Sequence, residues 1–268
     1  MRRKEPRRKL QPDRLGLHPL KERQARVPRL YVDVELRAQT RFALPDDAAH
    51  HVARVLRLRE GEPAMLFDGR GGEYEARLFM PGRNQVVAEI GGYLDTGRES
   101  PLSVTLVQGI SSSDKMDFTI QKAVELGIAA IQPVLAAKSV ARLSGEREAK
   151  KLSHWRRVVI AACEQCGRNR LPEVREAMSV ETYVRTPGPA SLRLLLSPDG
   201  KTGLKDLEQK IERAITFAAG PEAGFSAEEE QLLQRAGFIP VRLGPRILRT
   251  ETAALAALAA LNALAGDF

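Results

Sequence analysis

Between Arg29 and about Leu94, apolar and polar positions alternate in short runs separated by turn residues. LYVDVEL, Leu30 to Leu36, has the period-two pattern of a half-buried strand. AMLFDGRGGEYEARLFM, Ala64 to Met80, predicts a hairpin turning at Asp68 to Gly72, where glycines permit positive φ. NQVVAEIGGYL, Asn84 to Leu94, predicts another strand. DDAAHHVARVLRLREG, Asp46 to Gly61, reads as one short helix, with Asp46 or Asp47 as its cap and Gly61 as its stop. Short strands with one helix in residues 28–95 suggest a small β-barrel. Asp95 to Pro101 reads as a linker.

Beyond Pro101 the rhythm changes to apolar strands alternating with longer amphipathic helices. Strands are predicted at Leu102 to Ile110, Ile128 to Leu135, Leu192 to Gly200, Ala214 to Gly224 and Phe238 to Gly244. Helices are predicted at Asp114 to Gly127, Glu146 to Arg168, Ser226 to Arg235 and Glu251 to about Ala265. Such alternation indicates an α/β layer architecture with a parallel sheet over residues 101–268.

With 268 residues there is enough chain for two cores, and 43% hydrophobic content suits a globular protein. The longest apolar run is mostly alanine and too short to span a bilayer, so no membrane partner is expected. Two cysteines argue against a disulfide framework and for a reducing, cytoplasmic setting. Cys163 and Cys166 form an isolated CxxC within a predicted helix, which points to packing rather than zinc or redox chemistry. His50 and His51 lack a nearby cysteine or carboxylate cluster, so no metal site is expected. The net charge of +8 is concentrated in residues 1–27, which hold ten Lys or Arg and three acids; the rest nets +1. This basic, proline-containing extension reads as disordered alone, and either an electrostatic arm for nucleic acid or a dispensable addition.

Ligands of open α/β sheets bind beyond the carboxyl ends of strands. Three such ends carry glycine and proline: LLLSPDG at Leu194 to Gly200, AAGPEAG at Ala218 to Gly224, and RLGPR at Arg242 to Arg246. Tight turns there leave backbone N–H and C=O groups free to meet a planar heterocycle such as adenine. Leu196, Leu243, Ile247 and Leu248 could supply its apolar walls.

GPEAGFS, LGPRILRTETA, FTIQKAVELGI and IAACEQCGRNRLPEV closely resemble the RsmE family. Those bacterial enzymes methylate N3 of one uridine in the decoding region of 16S ribosomal RNA (rRNA). The resemblance runs from about Pro28 to Ala265, with VPRLY and HHVARVLRLREGE matching the family's N-terminal region; residues 1–27 lie outside it. It implies a PUA-like β-barrel at 28–95, then a SPOUT α/β domain at 101–268 with a C-terminal trefoil knot. It also implies S-adenosyl-L-methionine (SAM) as cofactor, 16S rRNA or the 30S subunit as partner, and a homodimer. Alanines such as Ala253, Ala256, Ala257 and Ala260 would let helices of a dimer, or of one core, approach closely. One departure is Ala223, where the family usually has glycine; a positive φ there would cost about 1 kcal/mol.

Methylating N3 requires removing its proton and stabilising the resulting charge, on a base that is unpaired or flipped. The candidate catalytic residues are Arg249 at the start of the last helix, Arg168 at the end of EQCGR, and Glu222, a carboxylate inside a cofactor loop. The candidate cofactor residues are Leu196, Gly220, Pro221, Glu222, Leu243, Gly244, Ile247, Leu248 and Arg249. For RNA the candidates are Arg29, His51, Arg54 and Arg57 on phosphates, with Gln165 and Asn169 on the base edge. An ion pair or helix cap is the plain alternative for each. Lys122 and Glu125 read as a surface ion pair, and Glu251 as a charge matched to its helix dipole. Two other readings stay open: a knotted methyltransferase with another RNA target or a 2′-O acceptor, and an assembly factor that binds RNA without catalysis.

Overall fold

A computed structural model describes residues 27–56, 58–82, 85–139, 145–186, 188 and 191–268. The basic extension, apart from Val27, and Arg57 lie outside these residues.

The first unit contains β1 (Arg29–Tyr31), β2 (Arg41–Ala43), α1 (Asp46–His50), β3 (Pro63–Phe67), β4 (Glu73–Gly82) and β5 (Gln85–Leu94). Its strands form one mixed sheet in the order β1-β3-β4-β5-β2, parallel only between β1 and β3. The β3–β4 hairpin turns through Gly69, Gly71 and Gly72, all at positive φ. Leu30, Val32, Leu66, Leu78, Val86 and Ile90 fill the core. The β1 strand is shorter than LYVDVEL predicts, because the Leu36 amide turns to the Asp68 carboxylate, 3.3 Å away, instead of a strand ladder. The expected single helix is α1 followed by a π-helical segment, His51–Leu56. Neither Asp46 nor Asp47 caps it: Pro45 holds that place, and both aspartates lie in the first turn, where they complement the helix dipole.

The second unit comprises β6 (Ser103–Gly109), α2 (Ser113–Glu125), β7 (Ala130–Leu135), α3 (Glu146–Cys166), β8 (Glu173–Val174), β9 (Met178–Ser179), α4 (Val180–Arg185), β10 (Leu192–Leu196), β11 (Thr202–Gly203), β12 (Ala214–Ala219), α5 (Ala227–Arg235), β13 (Ile239–Arg242) and α6 (Thr250–Ala265). All its strand pairs are parallel, in the order β11-β13-β10-β12-β6-β7-β8, with β9 beside β7. The helices cover both faces, as apolar strands such as β12 require. Met116, Ile120, Trp155, Leu258 and Leu261 belong to one core; Val107, Val180, Phe225, Leu233 and Phe238 form another. After β12 the chain passes through α5 and returns on the far side of β10 as β13, before α6 packs back near β12 and β6. This order is compatible with the expected trefoil knot.

A buried polar seam joins the units. The Arg29 guanidinium donates to Glu73, to Asn169 Oδ1 at 2.6 Å and to the Arg168 carbonyl, and lies over the Phe67 ring. Burial opposes charge on Glu73, but hydrogen bonding from Arg29 holds its carboxyl below the usual range. The Tyr31 amide donates to Glu164 Oε1 of α3 at 3.0 Å.

Candidate active site

Because β10, β12 and β13 run parallel in one sheet, the loops that follow them emerge at the same edge. They enclose a cavity of about 360 Å³. The β10 loop contributes Leu196, Ser197 and Pro198, and the β12 loop Gly220 to Phe225. The β13 loop contributes Leu243, Gly244, Arg246, Ile247 and Leu248, while Thr250 and Ala253 of α6 complete the wall. The structure thus brings Leu196, Gly220, Pro221, Glu222, Leu243, Gly244, Ile247 and Leu248 to one place. Arg249 does not line the cavity; it is exposed at the N-cap of α6, between two residues that do.

Glycine is needed at specific points here. A Cβ on Gly220 would stand 2.8 Å from the Phe225 nitrogen, and one on Gly109 would stand 2.4 Å from Pro221 Cδ. Gly224 and Gly244 adopt φ of 71° and 83°. Ala223 does not share that conformation, since Gln39 is the only non-glycine at positive φ among the described residues. The left-handed step falls one residue later, on Gly224, so the alanine carries no such strain.

Three residues absent from the sequence reading hold the loops together. Thr250 Oγ1 donates to the Gly220 carbonyl at 2.5 Å and accepts from Gln108 Nε2 at 3.0 Å. Gln108, only 1% exposed at the end of β6, also donates to the Gly109 carbonyl. Glu229 of α5 completes a capping box with Ser226 and accepts the Ala137 amide at 2.7 Å, anchoring the exit of the β12 loop.

Two carboxylates line the cavity. Glu222 Oε1 accepts from the Ser112 amide at 3.0 Å and from Lys115 Nζ at 3.2 Å. Burial works against its charge, yet these hydrogen bonds hold its carboxyl below the usual range. Glu230, on α5, is shifted the other way: burial and neighbouring Asp199 raise it. The two carboxyls are thus shifted in opposite directions, and Glu222 is not the sole carboxylate at the cavity.

The remaining candidates lie elsewhere. Arg168 does not reach the cavity of its own chain. Its side chain is 7% exposed, and it donates twice to Glu99 Oε2 and once each to the Val124 and Ile128 carbonyls. Asn169 is buried, its amide shared between Arg29 and the Thr96 carbonyl. Arg29 is held in the same seam. All three side chains are held largely inside the fold in this arrangement, with Arg29 Nε buried and without a hydrogen-bond partner among the described residues. His51 is half-buried, whereas Arg54 and Gln165 are exposed; Arg57 is outside the described residues. Lys122 and Glu125 form the expected ion pair at 2.7 Å. Cys163 is fully buried, which pushes its thiol up to about 12 and leaves it unreactive.

A small mixed sheet followed by a parallel α/β domain, with a cavity at the C-terminal strand ends, is the arrangement of an RNA methyltransferase domain preceded by a PUA domain. The family model described as an RNA methyltransferase domain matches residues 98–262, and that of an RNA methyltransferase PUA domain matches residues 44–91. Ribosomal RNA small subunit methyltransferase E of Buchnera aphidicola (from Acyrthosiphon pisum) is 32% identical, covering 91% of this chain and 96% of its own length. The crystal structure of the Neisseria gonorrhoeae methyltransferase E bound to SAM is 45% identical with a TM-score of 0.86, covering 90% of this chain and 99% of that one. A Legionella pneumophila protein solved with bound SAM is 39% identical, also at 0.86, covering 91% of this chain and 100% of that one. The chain belongs to the ribosomal RNA small subunit methyltransferase E family, the RsmE family.

Proposed function

We propose that this protein uses SAM to methylate N3 of one uridine in the decoding region of 16S rRNA, uridine 1498 in standard rRNA numbering. In this reading it works in the cytoplasm as a homodimer, on 16S rRNA or the 30S subunit. The observation that carries the reading is the convergence of three strand-end loops on one cavity.

The cavity fits the cofactor. Its volume lies in the usual range for small-molecule sites, and Leu196, Leu243, Ile247 and Leu248 offer apolar walls. The close approach at Gly220 brings main chain, rather than side chains, to the cavity surface. SAM supplies a methyl group already activated by a positively charged sulfur.

The protein's share of the chemistry is alignment and electrostatics. Neutral N3 is a poor nucleophile, so its proton must leave as the new N–C bond forms. Glu230 is the better placed of the cavity carboxylates to accept it on basicity, while Glu222 is committed to the α2 N-terminus and orients its loop. Arg249, exposed at the cavity rim, is assigned to the uridine carbonyl oxygens, where charge develops. Arg168 acts through the packing of α2 against the linker, not on the substrate.

Exposed apolar surface supports the dimer. Ile247 is 86% exposed and Phe118 of α2 is 47% exposed, while Leu255, Ala256 and Ala260 of α6 are half-buried. Calorimetry should find one SAM site per chain. Nucleoside mass spectrometry should find 16S rRNA from a deletion strain lacking 3-methyluridine; rRNA that keeps it would reject this target.

A further inference from the structure

The outer face of α3 is a charge feature that the cofactor site does not use. Leu152, Trp155, Val159, Ala162 and Cys163 bury one side of this helix. Arg147, Lys150, Lys151, His154 and Arg157 recur at spacings of three and four, so they share the opposite side. Arg147, Lys150, Arg156 and Arg157 are exposed, and Lys150 pairs with a solvated Glu146. Residues 147–157 hold five Lys or Arg against one acid, Glu148, although residues 28–268 as a whole net only +1. The stripe therefore stands out against a body that is otherwise slightly acidic.

Its position gives the charge a direction. At the C-terminal end of α3, Glu164 accepts the Tyr31 amide of the N-terminal sheet. Toward the other end, Lys151 donates to Ser113 at the start of α2, next to Ser112, whose amide is bonded to Glu222 at the cavity. A helix of 21 residues is about 30 Å long, so α3 bridges the two regions.

We propose that the outer face of α3 is a track for the RNA phosphate backbone, running from the N-terminal sheet to the cofactor cavity. Arg147, Lys150 and Arg157 are its main phosphate contacts. His154 is turned onto Asp117 Oδ2 at 2.7 Å, and Lys151 is engaged at Ser113, so these two fix the helix on α2 rather than carry the track. The inference rests on RNA being the substrate, and adds where its backbone lies. Phosphate contacts of this kind set register and on-rate without reading sequence.

The test is the full-length triple variant Arg147→Ala, Lys150→Ala, Arg157→Ala, titrated with transcribed 16S rRNA by fluorescence anisotropy across a salt series. Each lost phosphate contact lowers the slope of log K against log[salt] by about 0.7 to 0.9, so the slope should fall by about two and low-salt affinity by about tenfold or more. SAM affinity by calorimetry should match the wild type. A control with Lys205, Lys210 and Arg213 changed to alanine, exposed in the segment between β11 and β12, should keep the wild-type slope. An unchanged slope in the α3 variant, or an equal fall in the control, would overturn the track. A change in the variant's mass by light scattering would instead assign the stripe to contact between copies, and would also overturn it. Wild-type protein with no affinity for the rRNA would reject the substrate reading itself, a separate outcome.

Discussion

Arg249 and Arg168 stand in similar surroundings in the sequence, each at a helix end beside a glycine-containing motif, yet they occupy opposite kinds of environment. Arg249 is exposed at the rim of a cavity and makes no side-chain cap to its helix. Arg168 is buried, and its guanidinium is spread over Glu99 and two carbonyls at the end of α2. The region around Arg249 is main-chain bends tied by a few side chains such as Thr250 and Glu222; the region around Arg168 is a buried polar seam continued by Asn169, Arg29 and Glu73. An arginine with its donors already spent holds structure, and one left free at a cavity is available for a ligand.

This contrast breaks most sharply at Arg168. Arg168→Ala should lower unfolding free energy by about 3 kcal/mol, because it leaves a carboxylate and two carbonyls without their partner. Thermal denaturation should show a fall of about 10 °C, with SAM affinity of the folded protein within about twofold of wild type. A variant that melts normally but turns over slowly would return Arg168 to the chemistry. Arg249→Ala should do the reverse: turnover falls about 100-fold, the melting temperature scarcely moves, and wild-type activity would remove Arg249 from the mechanism.

Thr250 lies between these extremes, buried yet at the cavity wall. Thr250→Val keeps the shape but removes the hydroxyl shared by Gly220 and Gln108. SAM affinity should weaken about tenfold, near the cost of one or two unsatisfied buried groups, and Thr250→Ser should restore it. Calorimetry on both variants decides whether the tether shapes the site.

The smallest effect concerns pH. A carboxyl held below its unfolded value stabilises the fold above the ordinary carboxylate range, and that contribution fades as pH drops through the folded value. Glu222 is such a group. The stability difference between wild type and Glu222→Gln should thus be full near neutrality and vanish in strong acid, as measured by denaturant unfolding at each pH. A difference that grows on acidification would contradict the anchoring role.

The parts legible from sequence were those with local causes. The parallel strands and long helices follow from periodicity, and the cavity loops follow from glycine and proline at strand ends. The hidden parts depend on partners far apart in the chain. Gln108 meets Thr250 across 142 positions and Arg29 meets Asn169 across 140, so nothing near either residue marks it as engaged. Glu230 was missed because its place at the cavity depends on how α5 folds back beside the β10 loop. The π-helical turn at His51–Leu56 interrupts a pattern that reads as regular helix, and it changes which side chains share a face.

The most direct test is to incubate purified protein with SAM and 16S rRNA or 30S subunits from the deletion strain, then digest the RNA and identify the methylated nucleoside by mass spectrometry. The expected product is 3-methyluridine at one position, formed only when SAM is present. A 2′-O-methylated nucleoside, or no methylated product while the protein still binds SAM and RNA, would contradict the account.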